Sequence, residues 1–458
     1  MGKLRSLFLA FALVSAASCT SKEKAPSAPG VKAKASRPGL AVGIRIQHLA
    51  PKQWRVTYKT EQPQKKLVFE RQRNLFRQDV FKADDPAFAV RVEDGNEVIV
   101  RNDGAEFKEA SFTFGPHYAN LRQDYEFTLG FADGSSALYT GHFDLKGDGL
   151  PVYPSFEFQP LDNENLVFNA KRYTATEAWK PEGELNSIYV YFGKLEPKQT
   201  SSMTILADPQ LPQWLKKTDS EVLAKVFEHY EKQFNYRPEP LPFIMTNVGE
   251  MKDPKSASAG GGSAPGWIQM GISGGAWKKA SSGLREKYVF MYAHEGMHQY
   301  QGRGHDDFAE VGWLMEGGAD FFADLAARDL GFMSAKRHRE RIRESANKCI
   351  KLLEKNKVAL KSPGDADYEV VYHCGRVLHE ASDKVLRRKH KDGMIELWRR
   401  MLAGRRDGYV EAFQYFDYLR QLEAPESYVD RARDFITLIH DDPRLALNDL
   451  LESAELKL

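Results

Sequence analysis

Cysteine, net charge and long apolar runs are all scarce in this sequence. Only 3 of its 458 residues are cysteine, so at most one pair can form without Cys19. Its 65 Lys and Arg nearly balance its 63 Asp and Glu, for a formal net charge of +2, which gives no indication of nucleic-acid or polyanion binding. Beyond the N-terminus, no stretch is long and apolar enough to predict a membrane span.

The N-terminal 19 residues predict export. Lys3 and Arg5 form a short basic region, and the apolar run Leu7–Val14 is too short to cross a bilayer. Small residues directly precede Cys19. This pattern resembles the lipobox of bacterial lipoproteins, in which the cysteine is lipidated. Ala16 stands where such boxes usually carry Leu, so an ordinary cleaved signal peptide is the alternative. We expect a periplasmic or outer-membrane-anchored lipoprotein, with secretion as the alternative and a lipid on Cys19 as its sole membrane contact.

Cys349 and Cys374 are the two cysteines that follow the targeting segment. In an oxidising compartment they could form a disulfide, but their positions in the sequence do not show whether they meet. Their pairing therefore stays open at this point.

The patterning of the remaining chain divides it into four regions. Residues 20–38, rich in Lys, Ser, Ala and Pro, predict a disordered tether. Residues 39–205 alternate with period two between turn signals, which predicts an antiparallel β-sandwich. Residues 206–390 mix strand and helix patterns, and residues 391–458 are helical. The predicted fold class is α+β.

Helical periodicity dominates from about residue 282. The predicted helices span 283–301, 313–330, 335–356 and 367–390. An earlier helix is predicted to end near Phe234, with Asp219 or Ser220 as its N-cap.

The strongest chemical signal is the sequence His294-Glu295-x-x-His298 on the first of these helices. Residues four apart share one helix face, so both imidazoles can bind one metal ion. Glu295 leaves the helix at an angle that places its carboxylate beside the ion. There it can act as general base on a water molecule whose pKa the ion has lowered.

A third ligand and a supporting carboxylate follow on the next predicted helix. Glu316 comes eighteen positions after His298, within the sequence Trp-Leu-Met-Glu-Gly-Gly. A catalytic zinc site needs three protein ligands and one open position. Asp320 lies one turn beyond Glu316 and can accept the outer N–H of a ligand histidine. The sequence therefore predicts one Zn²⁺ per chain, bound by His294, His298 and Glu316.

These motifs resemble the gluzincin metallopeptidases, specifically the membrane alanyl aminopeptidase superfamily and its glycyl-aminopeptidase relatives. The resemblance covers about residues 185–390 and includes Tyr-Val-Tyr-Phe-Gly at 189–193 and Ile-Leu-Ala-Asp-Pro at 205–209. It implies that residues 206–390 form a thermolysin-like zinc peptidase domain behind an N-terminal β-domain, with helices to the C-terminus.

The resemblance also implies an oxyanion donor. Tyr372-His-Cys-Gly looks like the family's Y-x-K-G, whose tyrosine hydroxyl donates a hydrogen bond to the oxyanion. Cys374 stands where the family has lysine. His373 and Tyr368 are the backup donors.

One family feature is missing from the sequence. Aminopeptidases of this superfamily carry G-x-M-E-N on an edge strand before the zinc helix, and its glutamate binds the substrate's free amino terminus. The corresponding stretch here, residues 260–271, contains no acid, and the nearest carboxylates are Glu250 and Asp253. An altered exopeptidase, an endopeptidase or a hydrolase with an unusual substrate therefore all remain.

The preferred hypothesis is a zinc metallopeptidase acting on a peptide or protein substrate. Two alternatives remain: a glycopeptidase acting on the cell envelope, and a non-catalytic binding module that keeps the fold. Retention of Glu295 argues against the module, because a purely structural metal site does not need a base.

Overall fold

The computed structural model describes residues 39–119, 121, 124–147, 149–181, 187–304, 308–363, 368–405 and 409–458. The predicted signal peptide, Cys19 and the predicted tether lie outside the described residues. From Gly39 onward the chain forms one compact unit.

The strands concentrate in the first 273 residues. Their bounds are β1 (Leu40–Ala50), β2 (Gln53–Gln64), β3 (Lys66–Phe69), β4 (Lys82–Ala83), β5 (Phe88–Glu93), β6 (Asn96–Arg101), β7 (Phe107–Phe114), β8 (Thr128–Gly130), β9 (Ser136–Tyr139), β10 (Leu145–Lys146), β11 (Val152–Gln159), β12 (Asn165–Phe168), β13 (Lys171–Tyr173), β14 (Glu177–Trp179), β15 (Tyr189–Gly193), β16 (Lys198–Gln199), β17 (Thr204–Ala207), β18 (Phe243–Val248), β19 (Ser258–Ala264), β20 (Trp267–Ser273), β21 (Arg303–Gly304) and β22 (Tyr409–Val410).

The helices have the bounds α1 (Arg77–Val80), α2 (Gln213–Thr218), α3 (Ala224–Phe234), α4 (Ser282–Gln301), α5 (Phe308–Asp329), α6 (Ala335–Asn356), α7 (Glu369–Leu386), α8 (Met394–Gly404), α9 (Gln414–Gln421), α10 (Glu426–Thr437) and α11 (Pro443–Ser453). The longest helices are α4 to α7, with 18 to 22 residues each. In the described part of the chain, no helix combines the length and the apolar character that a bilayer-spanning helix requires.

Three sheets form the N-terminal half around an aromatic core. Their strand orders are β14-β11-β1-β2-β7-β4, β10-β3-β6-β5 and β13-β12-β15-β9-β8. The predicted α+β class with an N-terminal β-region is confirmed. The antiparallel pattern has one exception, because β1 runs parallel to β11. Period-two alternation shows which face of a strand is buried, whereas strand direction depends on how the chain returns to the sheet.

A fourth sheet, in the order β16-β17-β18-β20-β19, joins the two halves of the molecule. One face carries Phe243 and Trp267 into the aromatic core, and the other carries Ile244 and Ile268 into the helical core. Both faces are buried, which explains the nearly continuous apolar run of β18. The domain division predicted at residue 205 runs through β17 and stays a prediction.

The helix that carries the histidine motif is capped at both ends. The Ser281 side chain accepts a hydrogen bond from the Leu284 amide, 3.2 Å, and satisfies one of the free N–H groups of the first turn of α4. Gly302 ends the helix with φ +76°, a conformation that favours glycine.

The predicted cap at Asp219 or Ser220 is wrong. A π-helical turn at Asp219–Leu223 connects α2 to α3 without interruption. Asp219 is buried, and its carboxylate accepts a hydrogen bond from the Tyr288 hydroxyl of α4 at 2.6 Å. A long-range contact satisfies this carboxylate, and sequence periodicity does not report such contacts.

Helices α5 and α7 cross at two glycines. A Cβ added at Gly317 would lie 2.4 Å from the Gly375 Cα, and one added at Gly375 would lie 2.3 Å from the Trp313 carbonyl oxygen. The absence of side chains at these positions therefore allows the backbones to touch. Beside this crossing, Cys349 of α6 and Cys374 of α7 form a disulfide, with Cα atoms 4.9 Å apart.

Candidate metal centre

Three potential ligand atoms converge between α4 and α5. The His294 Nε2 lies 3.3 Å from the His298 Nε2 and 3.2 Å from the Glu316 Oε2, and the His298 Nε2 lies 3.5 Å from the same oxygen. Nitrogen and oxygen ligands about 2.0 Å from a tetrahedral ion are about 3.3 Å from one another. The donor set therefore fits a zinc ion and leaves the fourth position open. The structure brings together all three ligands predicted from the sequence.

Helix geometry explains the convergence of the two histidines. They are four residues apart and project from the same face of α4 toward α5. Glu316 lies in the middle of α5 and is buried. Burial of a carboxylate without a cation is costly, which favours a positive partner at this position.

Glu295 is buried beside the two histidines. Its Oε2 accepts a hydrogen bond from the Ser263 hydroxyl of β19 at 2.9 Å. This contact restricts the rotamer of Glu295 and holds its carboxylate on the side of the sheet edge. The arrangement suits a group that must meet a water molecule in a fixed position.

Asp320 supports the first histidine from behind. The His294 Nδ1 donates to the Asp320 Oδ1 at 2.9 Å, so the Nε2 lone pair faces the other two ligand atoms. Arg376 of α7 forms an ion pair with the other Asp320 oxygen and donates to the Ser345 hydroxyl at 3.0 Å. Asp320 and Arg376 are both at least nine-tenths buried. Together these contacts fix the ring of His294.

The pKa shifts follow from burial and from these pairs. Burial opposes ionisation of Asp320, but the Arg376 charge and the hydrogen bond from His294 outweigh it and lower the pKa of this carboxyl. Burial likewise opposes ionisation of Glu316, and the neighbouring charge of His298 and hydrogen bonds from both histidines lower its pKa far below the usual range. Both side chains are therefore ionised at neutral pH. Glu316 needs this charge to bind a metal ion, and Asp320 needs it to accept the hydrogen bond from His294.

Tyr372 reaches the same site from α7. Its ring stacks on the His294 ring, with centroids 5.8 Å apart and planes inclined by 23°. Burial, followed by the charges of Glu316 and Glu295, raises the pKa of Tyr372 well above its usual value. The hydroxyl therefore stays protonated and can donate a hydrogen bond.

The two backup donors lie in different surroundings. Burial, followed by the charges of Arg376 and Lys348, lowers the pKa of His373 to about 4, so its imidazole is neutral. The Tyr368 hydroxyl packs against Gly312 of α5, only 2.6 Å from where a Cβ would lie. Tyr372 is the one of the three whose ring stacks on a predicted ligand.

The strand beside the site is the free edge of its sheet. β19 pairs only with β20 among the described strands. Within it, Ser263 is the residue that points at Glu295. Glu250 and Asp253 are exposed, and Glu250 pairs with Lys252 while Asp253 caps the Lys255 amide. Neither of these two carboxylates forms a hydrogen bond with Ser263 or Glu295 in the described part of the chain.

Sequence patterns did not reveal Ser263, Arg376 or Asp324 as parts of the site. Arg376 follows Tyr372 by four residues, so helical spacing could have suggested that both face α5. Asp324 follows Asp320 by four residues in the same way and forms an ion pair with Arg376, with 3.7 Å between the Asp324 Oδ2 and the Arg376 Nε. Ser263 has no local signal, because its partner is 32 residues away.

No protein-family model matches the sequence, and a search of curated proteins finds no relative. Solved structures do resemble the fold. An aminopeptidase N family protein from Idiomarina loihiensis matches with a TM-score of 0.64 and 12% identity, over 89% of this chain and 78% of that one.

Two further structures agree in fold. Leukotriene A4 hydrolase from Saccharomyces cerevisiae matches with a TM-score of 0.52 and 13% identity, over 89% of this chain and 68% of that one. An M1 zinc metallopeptidase mutant from Deinococcus radiodurans, bound to a Tyr-Ser-Ala substrate, matches with a TM-score of 0.52 and 12% identity, over 88% and 95%. The resemblance predicted from the motifs is thus confirmed for the fold: the chain has the α+β gluzincin fold of the M1 zinc metallopeptidases.

Proposed function

We propose that this protein is an exported zinc metallopeptidase that hydrolyses peptide bonds. The observation that carries the proposal is the convergence of the His294, His298 and Glu316 ligand atoms at tetrahedral edge distances, with the Glu295 carboxylate beside them. The metallopeptidases of the same fold support it. A structural metal site would have no use for a buried carboxylate next to its ligands.

A zinc ion bound by these three residues supplies a Lewis acid and an acidified water. Glu295 accepts the proton of the attacking water and passes it to the leaving amine. The Tyr372 hydroxyl donates a hydrogen bond to the carbonyl oxygen as negative charge develops on it. The free edge of β19 offers backbone N–H and C=O groups to an extended peptide, which positions the scissile bond.

Export is part of the proposal. Its support is the Cys349–Cys374 disulfide, because such bonds persist in oxidising compartments, together with the predicted targeting segment. This reasoning applies equally to a periplasmic protein, to an outer-membrane-anchored protein and to a secreted protein.

The proposal is tested with a mixed peptide library read by mass spectrometry. Zinc-loaded protein is expected to cut peptides at defined positions, to stop after chelation, and to resume when zinc is returned. One half of the library carries acetylated N-termini. We expect acetylated peptides to be cut at least as well as free ones, because the serine at position 263 offers no negative charge to a terminal ammonium.

Two results would count against this. Cleavage by metal-free protein would remove the zinc mechanism. A strong preference for free N-termini at the first peptide bond would restore an aminopeptidase, with its amine anchor elsewhere.

Tyr372→Phe is expected to lower kcat about one hundredfold with little change in KM or zinc content. The hydrogen bond forms mainly in the transition state, so its loss affects turnover more than binding. His373→Ala is the matched comparison, because it alters the adjacent residue of α7. If the histidine variant loses turnover and the phenylalanine variant does not, the oxyanion donor is misassigned.

A further inference from the structure

A cavity of about 690 Å³ lies beside the edge strand, outside the metal centre. The segments of β18, β19 and β20 form one wall. The other wall comes from the β-rich half and consists of Tyr118, Asp124, Glu126, Thr128, Leu129 and Gly130. The polar lining of the cavity includes Asp124, Glu126, Asn247 and Gln269. The proposed mechanism uses none of these residues.

One carboxylate of the cavity has no cation among the residues that the structure describes. Arg71 forms an ion pair with Asp124, which also accepts from the Tyr125 amide at 2.8 Å. Glu126 forms no ion pair and its carboxylate accepts no hydrogen bond within the described part of the chain. Burial, followed by the charge of Asp124, raises the pKa of Glu126 to about 7. A positive group entering the cavity would relieve this unfavourable electrostatic environment.

Two side-chain amides of the same cavity also form no hydrogen bond that the described part of the chain shows. Gln269 is only 9% exposed, yet its side chain makes no hydrogen bond to any residue that the structure describes. The Asn247 Oδ1 is buried and has no partner among the described residues either. Buried polar groups are rarely left unsatisfied in folded proteins. These two amides and the Glu126 carboxylate together offer oxygen acceptors to a hydrogen-bond donor.

The face of the sheet explains why Gln269 points into the cavity. Trp267, two residues earlier on β20, packs edge-to-face on Tyr125, with ring centroids 4.8 Å apart. Residues two apart on a strand share a face, so Gln269 faces the same wall of the β-rich half. A Cβ added at Gly262, its pairing partner, would lie 3.5 Å from the Gln269 amide nitrogen.

Tyr125 connects the cavity to the catalytic base. Its hydroxyl donates to the Ser263 carbonyl at 2.8 Å, and the Ser263 hydroxyl in turn donates to Glu295. Gly260 lines the cavity three residues before Ser263, a distance of about 10 Å along an extended strand. A peptide that pairs with β19 at the scissile bond therefore passes this cavity a few residues away.

We propose that the cavity binds a cationic side chain of the peptide substrate, a lysine ammonium or an arginine guanidinium, with Glu126 as counter-ion and the Asn247 and Gln269 oxygens as hydrogen-bond acceptors. The inference rests on the proposed function, because the substrate is a peptide that lies along β19. It adds a preference for a positive charge a few residues from the cleaved bond.

The test measures binding, so it does not depend on hydrolysis. Zinc-loaded Glu295→Gln protein is titrated with fluorescent peptides that carry lysine or its uncharged analogue norleucine, scanned over each position. At the best position we expect lysine peptides to bind about tenfold more tightly, as for a hydrogen-bonded charge pair. Adding Glu126→Gln is expected to abolish this ratio. Glu106→Gln, an exposed carboxylate of the same half, is the matched control and should keep it.

A steric variant tests the cavity itself. A Cβ at Gly260 would meet nothing within 4 Å, so Gly260→Leu can extend into the cavity without a backbone clash. It should remove the lysine preference in a protein whose melting temperature is unchanged. All peptides are N-acetylated, so the lysine ammonium is the one positive charge by which the two peptides of each pair differ.

Equal binding of lysine and norleucine peptides at every position overturns the proposal. A lysine preference that survives both Glu126→Gln and Gly260→Leu also overturns it. If no peptide is hydrolysed by the wild-type protein but the lysine preference is present and depends on Glu126, the proposed hydrolysis fails and the binding site stands.

Discussion

Glu295→Gln is expected to reduce peptide hydrolysis by a factor of about one hundred or more while the protein keeps its zinc. Glutamine has the shape of glutamate and can still accept a hydrogen bond from Ser263, so the local structure should persist. It cannot accept the proton of the attacking water at neutral pH. Turnover of a peptide found in the library and zinc content per chain are the two measurements.

Ser263→Ala provides the comparison for this variant. It removes the hydrogen bond that orients Glu295 but leaves the base itself, so its effect on turnover should be smaller. Turnover by Glu295→Gln equal to that of the wild type would show that another group is the base. Loss of zinc along with activity would show that Glu295 contributes to the metal site instead.

His298→Ala should abolish zinc binding and hydrolysis together. Wild-type protein is expected to hold about one zinc per chain, because three ligands and an open position make a catalytic site. Without His298, two of the three ligand atoms that the described residues bring together remain, the His294 nitrogen and the Glu316 oxygen. Zinc content by elemental analysis and turnover with added zinc measure the effect.

Thermal unfolding gives an independent readout of the same variant. A bound metal stabilises the folded state by mass action, so zinc should raise the melting temperature of the wild type but not of His298→Ala. His440→Ala is the control, because it removes a histidine that is not a predicted zinc ligand. This side chain lies between α10 and α11 and contacts the Phe435 carbonyl oxygen. A His298→Ala protein that still binds one zinc and turns over peptide would refute the ligand assignment.

Local periodicity in the sequence was sufficient to place four long helices and to give the main signal of the site. It did not fix every helix end, because α5 begins at Phe308 rather than at 313 and α7 ends at Leu386 rather than at 390. The predicted helix 335–356 coincides with α6, and the predicted helix 283–301 differs from α4 by one residue. His294 and His298 are one helical turn apart. They therefore lie on the same face in any structure in which this segment is a helix. Glu316 was predicted from the number of ligands that zinc requires, and Asp320 from its spacing to Glu316. The roles of these residues stay predictions until they are tested.

Contacts between distant segments could not be derived in this way. Whether Tyr372 meets His294 depends on the crossing of α5 and α7 at Gly317 and Gly375, and whether the two late cysteines pair depends on the packing of α6 beside that crossing.

The sequence by itself thus determined the fold class, most helices and the group of predicted ligands, because each follows from the spacing of neighbouring residues. Only the tertiary structure decided the Arg376 support of Asp320, the Ser263 contact with Glu295 and the cavity lined by Glu126 and Gln269. Glu126 and Gln269 are 143 residues apart, and they line one cavity because the fourth sheet has one face packed on the β-rich half. That packing depends on the shape of two cores, which no local pattern encodes.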